Sequence, residues 1–334
     1  FALAERSGAP WVADAGSGLR LRPASTRRLD HAGFQVERLR ECDLVLQLGH
    51  RPVSLPLTRA LAAARRWLVC DHPDRQDPCR QGGAQLASAP RDLLAAVADH
   101  PLLASPSPGW VDDLVAADAV WRERLAGHVE ATGDALTEAW VVREVARRLG
   151  PDHGLLLGNS LPVRHLDTVV AADRSPDRDG DDAGPCTLTS RGTSGIEGLV
   201  AQAVGAATGL RRPTVAVLGD VTVQHDLGSL ALLAQEGPPL MVLVIENGGG
   251  GNFRQFPGGR HPDLLDPWLT AHHDVDLCAV ARALGLFTRR VRHRGGLANA
   301  LTDFVRRPEP TLLATVVPPH GHAQLLAALR EEAP

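Results

Sequence analysis

The chain has 334 residues, of which 44% are hydrophobic and 22% charged, and its formal charge is -4. That length exceeds what one hydrophobic core usually serves, so two domains are expected, and the near balance of charges gives no reason to expect a nucleic-acid or membrane-surface partner. No apolar run reaches the roughly 20 residues of a membrane span, and the absence of lysine excludes a P-loop lysine or a Schiff-base lysine from this chain.

The first hundred residues alternate short apolar runs with helical patterns. The runs Trp11–Asp14, Leu44–Leu48 and Trp67–Cys70 end at or beside a glycine or aspartate and are predicted strands, and Leu55–Arg66 is a predicted helix. Short apolar strands separated by helices are typical of a parallel sheet in an α/β domain.

Two amphipathic helices are predicted after a proline- and serine-rich linker, Pro101–Pro108. Their apolar faces consist of Trp110, Leu114, Trp121 and Leu125 in the first helix and of Val141, Val145 and Leu149 in the second. Thr137 is the predicted N-cap of the second helix. Both tryptophans of the first helix are interpreted as core residues rather than as ligand contacts.

A second α/β pattern begins near residue 154. It contains six predicted strands: Leu155–Leu157, Cys186–Thr189, Val215–Leu218, Leu240–Ile245, Phe287–Val291 and Leu312–Val317. The acidic stretch Asp173–Pro185 is interpreted as a solvated surface loop. The chain as a whole is therefore predicted to be α/β, with two doubly wound parallel-sheet domains.

The cysteines are odd in number and scattered, and none has C-x-x-C spacing: Cys42, Cys70, Cys79, Cys186 and Cys278. This usage favours reduced thiols over a zinc site or a disulfide framework. We therefore expect a cytoplasmic protein.

Oxygen-bearing residues follow two neighbouring strands of the second pattern. Gly219-Asp220 ends one strand, and Glu246-Asn247-Gly248-Gly249 follows the next, with one helix between them. An open α/β sheet forms its crevice at the carboxyl ends of its strands. Mg²⁺ prefers oxygen ligands, so the Asp220 carboxylate, the Asn247 amide and the Gly249 carbonyl are candidate metal ligands. The alternative is a structural strand-end aspartate beside a glycine-rich turn.

The spacing of these residues resembles the G-D…N-x-G magnesium–diphosphate signature of the thiamine-diphosphate enzyme superfamily. Three further blocks narrow the resemblance: Gly158–Arg164, Ser190–Gly198 and Asp274–Leu277. In this order they are similar to the family of 2-succinyl-5-enolpyruvyl-6-hydroxy-3-cyclohexene-1-carboxylate synthases of menaquinone biosynthesis. The resemblance covers nearly the whole chain and is most specific from residue 154 to residue 257.

The resemblance implies a middle, transhydrogenase-like α/β domain over residues 1–125 and a diphosphate- and magnesium-binding α/β domain over residues 126–334. It implies thiamine diphosphate and Mg²⁺ (or Mn²⁺) as cofactors of a transferase whose substrates are 2-oxoglutarate and isochorismate. In that family the cofactor attacks the keto carbon of 2-oxoglutarate, carbon dioxide leaves, and the resulting carbanion adds to isochorismate.

The same resemblance implies roles for individual residues. Substrate carboxylates would be bound by Ser160, Arg164 and Arg191, because arginine forks suit carboxylates. The cofactor site would consist of Gly219, Asp220, Ile196, Asn247, Gly249 and Phe253. In it, Ile196 would be the apolar wedge that bends the cofactor and Phe253 an apolar wall. Each arginine could instead form a surface salt bridge, and Ile196 could pack in the core.

Three positions depart from the family pattern. Glu246 precedes Asn247, where the family usually has an Asn-Asn or Asn-Asp pair near the metal. Asn252 precedes Phe253, where isoleucine is common, and the basic residue expected near Ser54–Pro56 is absent. These departures weaken the assignment of substrates more than that of the cofactor.

The family also implies an N-terminal pyrimidine-binding domain, whose glutamate activates the cofactor at a partner subunit's diphosphate domain. The 334 residues contain no stretch for it. We therefore expect that this chain alone does not catalyse the reaction. It would act with a separate pyrimidine-domain chain or as a homo-oligomer.

Two other functions remain open: another thiamine-diphosphate 2-oxoacid decarboxylase or synthase, and a non-catalytic remnant that serves as a subunit. Among the histidines, His272 and His273 are adjacent and cannot form a helical i,i+4 metal pair. His225 is a weak candidate for a diphosphate contact. His320 and His322 are interpreted as loop residues.

Overall fold

The structure, a computed structural model, describes residues 2–22, 26–72, 83–97, 106–171, 184–235 and 237–331. Most of the predicted linker and of the predicted acidic loop, and also Cys79, lie outside these residues. Among the described residues, no helix has both the length and the apolar character required to cross a membrane.

The chain divides into two compact units. The first comprises Phe1–Arg124 with Ala171–Ser175, and the second comprises Leu125–Val170 with Pro176–Pro334. Within the residues that the structure describes, each unit contains one parallel sheet. The predicted α/β class, with two parallel sheets, is confirmed.

The first unit is built around three parallel strands in the order β1 (Leu44–Leu48), β2 (Arg65–Cys70) and β3 (Ala84–Ala87). Its helical elements are α1 (Ala2–Ser7), α2 (Val36–Leu39), α3 (Leu55–Ala60), α4 (Pro90–Val97), most of α5 (Pro108–Glu130) and short 3₁₀ turns at Ala32–Phe34 and Leu61–Ala63. A buried apolar cluster joins α2, α3 and α5 through Leu39, Leu57 and Leu114. Trp121 is buried and stacks on Phe34 with ring centroids 4.7 Å apart, so its prediction as a core residue is confirmed.

The helix predicted over Leu55–Arg66 is too long. It ends at Ala60, and β2 begins at Arg65, whose N–H donates to the carbonyl of Asp43 at 3.1 Å. Pairing with β1 therefore overrides the helical pattern of the last residues. The strand β3 was not expected, because its four residues, A-Q-L-A, carry too little apolar pattern.

The segment Trp11–Asp14 is not a strand, contrary to prediction. Within the described residues its ladder pairing is limited to a single bridge between Trp11 and Arg28. The buried Arg20 side chain donates to the carbonyl of Ala13 at 3.2 Å. A side chain thus satisfies a backbone acceptor that a neighbouring strand would otherwise bond.

The described part of the second unit forms six parallel strands: β4 (Gly154–Leu157), β5 (Cys186–Thr189), β6 (Thr214–Gly219), β7 (Leu240–Glu246), β8 (Phe287–Val291) and β9 (Thr311–Val316). Its helices are α6 (Glu138–Arg148), α7 (Leu161–Val169), α8 (Leu199–Leu210), α9 (Asp220–His225), α10 (Leu230–Ala234), α11 (Pro262–Trp268), α12 (Leu277–Ala283), α13 (Arg294–Arg306) and α14 (Gly321–Glu331). Three 3₁₀ turns lie at Leu227–Ser229, Gly251–Gln255 and Pro257–Arg260. The six predicted strands are confirmed to within one residue at each end.

Both faces of this sheet are covered. Alternate strand residues such as Leu156, Ala216 and Val242 belong to one buried cluster with residues of α8 and α12. Their neighbours along the strands, Val217 and Leu243, are equally buried on the opposite face, because side chains alternate along a strand. The long apolar runs of the sequence follow from burial on two sides.

The strand order is β5-β4-β6-β7-β9-β8, so the order reverses between β4 and β6. A doubly wound sheet opens a ligand crevice at the carboxyl ends of the strands where such a reversal occurs. The helix α6 leads into this sheet, and the Thr137 side chain caps it by accepting from the N–H of Trp140 at 3.2 Å. The predicted N-cap is confirmed.

Candidate active site

The carboxyl ends of four neighbouring strands carry the predicted site residues. Ser160 follows β4, Arg191 follows β5, Asp220 follows β6 and Asn247 follows β7. Because all four strands are parallel, these ends lie along the same edge of the sheet. The reversal of strand order between β4 and β6 lies within this edge.

Asp220 holds two strand ends together. Its side chain is buried, and Oδ2 accepts the N–H groups of Asn247, Gly248 and Gly249 at 3.2, 3.0 and 3.0 Å. Oδ1 accepts the N–H of Val221 at 2.7 Å. One carboxylate therefore organises the turn that follows β7 and the start of α9.

Burial raises the pKa of Asp220. The N–H groups of Val221 and Gly249 oppose this increase, and so does the nearby ring of His273, but burial dominates. The carboxylate thus lies in a site that is costly for an uncompensated negative charge. A cation bound beside it would relieve that cost.

The amide of Asn247 has one orientation that satisfies both of its ends. Nδ2 donates to Oε1 of Glu138 at 2.7 Å, and Oδ1 accepts the N–H of Gly249 at 3.1 Å. Rotating the amide by half a turn would set oxygen against carboxylate and N–H against N–H. Both Asn247 and Glu138 are buried, so neither end can turn to water instead.

The glycines after Asn247 are required by the backbone and by close packing. Gly248, Gly249 and Gly250 have φ angles of 81°, 92° and 40°. A Cβ atom on Gly249 would lie 2.4 Å from the carbonyl oxygen of Thr270, and one on Gly250 would lie 2.4 Å from the Thr270 Cα. A side chain on Gly249 or Gly250 would push the turn away from Thr270, which covers it.

The donor atoms suit a hard divalent cation. The Asp220 carboxylate, the Asn247 amide oxygen and the Gly249 carbonyl are oxygen ligands of the kind that Mg²⁺ prefers. Oδ1 of Asp220 has spare acceptor capacity beyond the N–H of Val221, since each carboxylate oxygen can accept twice. Within the described ranges, no three His, Cys, Asp or Glu side chains are grouped so as to hold a metal ion.

Ser160 has a strained backbone. Its φ of 80° and ψ of -128° lie in a region that favours glycine, at the N-cap position of α7. A non-glycine residue in such a conformation costs on the order of 1–3 kcal/mol, and such residues cluster at functional sites. The strain is consistent with a hydroxyl held in place for a ligand.

Arg164 and Arg191 face each other as like charges. Burial, and then the charge of Arg191, lowers the pKa of Arg164. Arg164 donates to the carbonyl of Ser160. Neither arginine has an ion pair with an acidic side chain among the described residues, so the structure does not place them in the surface salt bridges considered above.

Ile196 lies on a loop that Asn159 anchors. The Asn159 side chain, only 3% exposed, donates to the carbonyls of Thr193 and Gly195 at 3.3 and 2.7 Å. Ile196 is partly buried there, whereas the Phe253 side chain is 40% exposed in the 3₁₀ turn after the glycines. The two apolar residues predicted for the cofactor pocket therefore differ in their surroundings.

The Glu246 carboxylate is paired with an arginine. Both of its carboxylate oxygens accept from Arg290, each at 3.1 Å, and Arg290 also donates to Asp276 at 2.8 Å. Burial alone would lower the pKa of Arg290, but the hydrogen bonds to Glu246 and Asp276 raise it above the ordinary value. The extra carboxylate at this position is thus neutralised within the unit.

A cavity of about 940 Å³ opens beside Asp220 and the turn that follows β7. Asp220, Glu246 and Asn247 line it from one side, and His272 and His273 line it from the segment after α11. Ser160, Arg164, Arg191, Ile196 and Phe253 are not part of its lining as described. The structure therefore brings two of the three metal candidates, Asp220 and Asn247, to this cavity, whose lining does not include Gly249. The substrate candidates lie on adjoining strand ends and loops.

The contacts of the histidines in this region were not predicted from the sequence. His273 Nε2 lies 3.9 Å from Oδ2 of Asp220, and both of its ring nitrogens are buried without a hydrogen-bond partner among the described residues. His272 Nδ1 lies 3.1 Å from the carbonyl of Gly248, and His225 is exposed at the end of α9. Adjacent histidines carry no spacing signal, so the sequence could exclude a helical metal pair but could not locate these contacts.

His322 was interpreted as a loop residue, but it is buried in α14. Its ring packs edge-on against His165 with centroids 4.8 Å apart. Burial, with His165 and Arg164 nearby, lowers the pKa of His322 to about 3. The native protein therefore keeps this imidazole neutral in a pH range where an unfolded chain would protonate it.

This difference predicts a loss of stability in mild acid. The unfolded chain gains a proton at His322 near its ordinary pKa of 6.5, whereas the native chain does so only near pH 3. The contribution of His322 to the free energy of unfolding is thus complete above pH 6.5 and falls as the pH drops. We expect a fall of about 1.4 kcal/mol between about pH 7.5 and about pH 5.5, absent from His322→Leu. Urea unfolding at both pH values measures it.

The matched control for that experiment is His320→Gln, which alters an exposed histidine two residues earlier. It should retain the pH dependence of the unaltered chain. Equal pH dependence in the unaltered chain and in His322→Leu would show that His322 is not held neutral.

Comparison with known proteins identifies the relatives of this chain. Residues 182–315 match the thiamine pyrophosphate enzyme family, C-terminal TPP binding domain. The chain is 33% identical over 288 residues to the 2-succinyl-5-enolpyruvyl-6-hydroxy-3-cyclohexene-1-carboxylate synthase of Rubrobacter xylanophilus. The matched region covers 85% of this chain and 48% of that protein. The synthases of the same name from Sorangium cellulosum and Aeromonas salmonicida are 35% and 30% identical, over 86% and 98% of this chain and 47% and 56% of their own lengths.

The chain thus spans about half the length of the curated relatives that it matches. The matched domain contains β5, β6, β7 and β8, and with them the Asp220 turn. The resemblance predicted from the sequence motifs is confirmed. Residues 182–315 match the C-terminal TPP binding domain of thiamine pyrophosphate enzymes, and the chain is similar, over most of its length, to the 2-succinyl-5-enolpyruvyl-6-hydroxy-3-cyclohexene-1-carboxylate synthases.

Proposed function

We propose that this chain supplies the diphosphate-binding part of a synthase that depends on thiamine diphosphate and Mg²⁺ (or Mn²⁺). The reaction would join decarboxylated 2-oxoglutarate to isochorismate in menaquinone biosynthesis. The observation that carries the proposal is the buried Asp220 carboxylate, which binds four backbone N–H groups at two adjacent strand ends beside a cavity. The activity for which the relatives are named supports the choice of product.

In this proposal, Asp220, Asn247 and Gly249 hold the cation, and Gly219 brings the backbone close to the diphosphate. The positive φ angles of the glycine turn and its packing against Thr270 support this role, since they keep the turn free of side chains. Thiamine diphosphate, when bound, supplies the electron sink for decarboxylation and for carbon–carbon bond formation. The protein residues orient it, bind substrate carboxylates and exclude water.

Ser160, Arg164 and Arg191 would bind the substrate carboxylates. Two partly buried guanidinium groups that repel each other, with no acidic partner among the described residues, favour an anionic ligand between or beside them. Both proposed substrates carry carboxylates. Ile196 and Phe253 would form apolar walls for the cofactor rings.

The wider assignments belong to the same proposal. Residues 1–125 would be the middle domain and residues 126–334 the diphosphate domain of the enzyme. The partners would be the two small-molecule substrates and either a second copy of this chain or a separate pyrimidine-domain chain. We place the reaction in the cytoplasm, which suits the scattered free cysteines Cys42, Cys70, Cys186 and Cys278.

The cofactor assignment can be tested by thermal denaturation of the 334-residue chain. Thiamine diphosphate with Mg²⁺ should raise the midpoint, and EDTA should abolish the increase, because a ligand that binds only the native state stabilises it by about 2.7 kcal/mol at a hundred times its dissociation constant. No shift at millimolar cofactor would contradict the proposal and favour a non-catalytic remnant.

The substrate assignment needs a second experiment. Carboligation of 2-oxoglutarate with isochorismate is assayed with the chain alone and with the N-terminal part of the Rubrobacter xylanophilus relative added. We expect product only in the second mixture. An enzyme that bound cofactor but preferred pyruvate would support the alternative, another thiamine-diphosphate decarboxylase or synthase, since a small apolar oxoacid does not need two arginines.

A further inference from the structure

We propose that Glu138 is a positioning residue for the metal site, which fixes the Asn247 amide so that its oxygen, and not its nitrogen, faces the cation. The inference rests on the proposed function, because it assumes that Asn247 is a metal ligand. Glu138 lies on α6, 109 positions before Asn247 in the chain. The relevant geometry is entirely within the second unit.

Glu138 has no exposed route by which to satisfy its charge. It is 2% exposed at the first position of α6, and Oε1 accepts Nδ2 of Asn247 at 2.7 Å. Oε2 lies 3.2 Å from Nε2 of His165. A buried carboxylate requires such partners, and the start of a helix adds a favourable dipole. Glu138 is therefore held in place from two sides.

The bond to Glu138 decides which end of the Asn247 amide remains for a ligand. An asparagine amide can present oxygen or nitrogen after a half turn, and only the oxygen can bind Mg²⁺. With Nδ2 committed to Glu138, Oδ1 faces the glycine turn and the N–H of Gly249 at 3.1 Å. Outer partners of this kind typically change metal affinity by about 10–100-fold when removed.

His165 supports the same arrangement from behind. It is 1% exposed on α7, the helix that also carries Arg164, and its ring packs edge-on against His322. Glu138 thus connects the Asn247 turn to α7 through two buried contacts. The carboxylate cannot move toward either neighbour without losing its contact with the other. We therefore expect the length of the Glu138 side chain to matter more for the orientation of Asn247 than its charge does.

Two variants separate the effect of side-chain length from that of charge. Glu138→Gln keeps the length of the side chain and an acceptor oxygen for Asn247, whereas Glu138→Asp keeps the charge but is one methylene too short. The measurement is the dissociation constant of Mn²⁺ in the presence of thiamine diphosphate, followed by electron paramagnetic resonance of the 334-residue chain. Folding of each variant is checked by thermal denaturation without ligands.

We expect binding by Glu138→Gln to stay within about threefold of the unaltered chain and binding by Glu138→Asp to weaken by about tenfold or more. The control is Glu144→Asp, which shortens another buried glutamate of α6 that pairs with Arg147 and Arg148. It should leave Mn²⁺ binding unchanged. A role of the Glu138 charge alone would give the opposite order of the two Glu138 variants.

Each result decides the proposal. Mn²⁺ binding by Glu138→Asp as tight as in the unaltered chain would overturn it, and so would a tenfold loss in Glu138→Gln, which carries the test if the aspartate variant does not fold. If the unaltered chain binds no Mn²⁺ with thiamine diphosphate, the proposed function fails and this inference fails with it. If the unaltered chain binds but the order of the variants is wrong, only this inference fails.

Discussion

Asp220→Asn is expected to weaken Mg²⁺-dependent thiamine diphosphate binding by about a hundredfold or more while leaving the chain folded. The substitution removes the negative charge of the proposed cation ligand. It also sets an NH₂ group against a backbone N–H, either that of Val221 or those of the glycine turn, because the two carboxylate oxygens accept from both sides. The measurement is the stabilisation by cofactor and Mg²⁺ in thermal denaturation.

The cost to folding should be smaller than the cost to binding. Losing charge-assisted hydrogen bonds from a buried carboxylate costs about 1–3 kcal/mol. Burial penalises the charged form of Asp220 and raises its pKa, and asparagine avoids that penalty. The two terms oppose each other, so we expect a net loss near the lower end of that range.

Asp226→Asn is the matched control. Asp226 is a partly buried carboxylate that, like Asp220, accepts backbone N–H groups, those of Val200 and Ala201 at 2.7 and 3.1 Å. It caps α8 and does not line the cavity. It should lose a similar amount of stability and keep cofactor binding. Equal loss of binding in both variants would mean that Asp220 acts only through the fold.

The part of this fold that the sequence predicted well is the six-stranded sheet. Its strands are buried on both faces, so they appear in the sequence as continuous apolar runs, and the residues that follow them carry the motif. Asp220 and Asn247 could be placed at one edge of the sheet from the order of strands and helices along the chain, because parallel strands share their carboxyl ends. Thr137 was equally visible, since an N-cap is a local signal.

Contacts between distant polar residues were not visible in the sequence. Glu138 looks like an ordinary first-turn glutamate beside the Thr137 cap, and nothing local indicates that it meets His165 and Asn247. The same holds for His322, whose helical position and burial depend on packing of α14. Charged residues are seldom buried, so sequence patterns assign them to the surface by default.

Glu246 illustrates how a departure from a family pattern can be compensated elsewhere. From the sequence it adds a carboxylate beside the metal candidates, which would alter metal or diphosphate binding if it pointed inward. In the structure Arg290, on β8, binds both of its oxygens and is held in turn by Asp276. The compensating residue lies 44 positions away along the chain, so only the fold relates the two.

The buried arginines of the first unit are the extreme case of a contact that the sequence hides. Arg28 is fully buried; its guanidinium donates to the Asp30 carboxylate at 2.9 Å and to the carbonyls of Leu19, Arg22 and Arg20 at 3.1, 2.9 and 3.1 Å. Burial raises the pKa of Asp30, but the surrounding arginines and His31 outweigh it and lower that pKa. The pair is therefore ionised, and it ties together a segment that has little sheet or helix of its own.

Arg28→Met should destabilise the first unit by about 3 kcal/mol, because it removes the donor from Oδ1 of Asp30 and from three backbone carbonyls. The loss stays at the lower end of the range for a broken buried ion pair, since Arg122 still donates to Oδ2 of Asp30 at 3.0 Å. The loss of stability in Arg28→Lys should lie between that of the unaltered chain and that of Arg28→Met, since an ammonium cannot reproduce the five donors of a planar guanidinium. Limited proteolysis followed by mass spectrometry can assign the opening to residues 2–22 and 26–72. The control is Arg40→Met, whose ion pair with Glu37 is exposed and should matter by less than about 0.5 kcal/mol. If Arg28→Met resists protease as well as Arg40→Met does, the guanidinium is not what holds this segment, and its backbone must be stabilised by apolar packing instead.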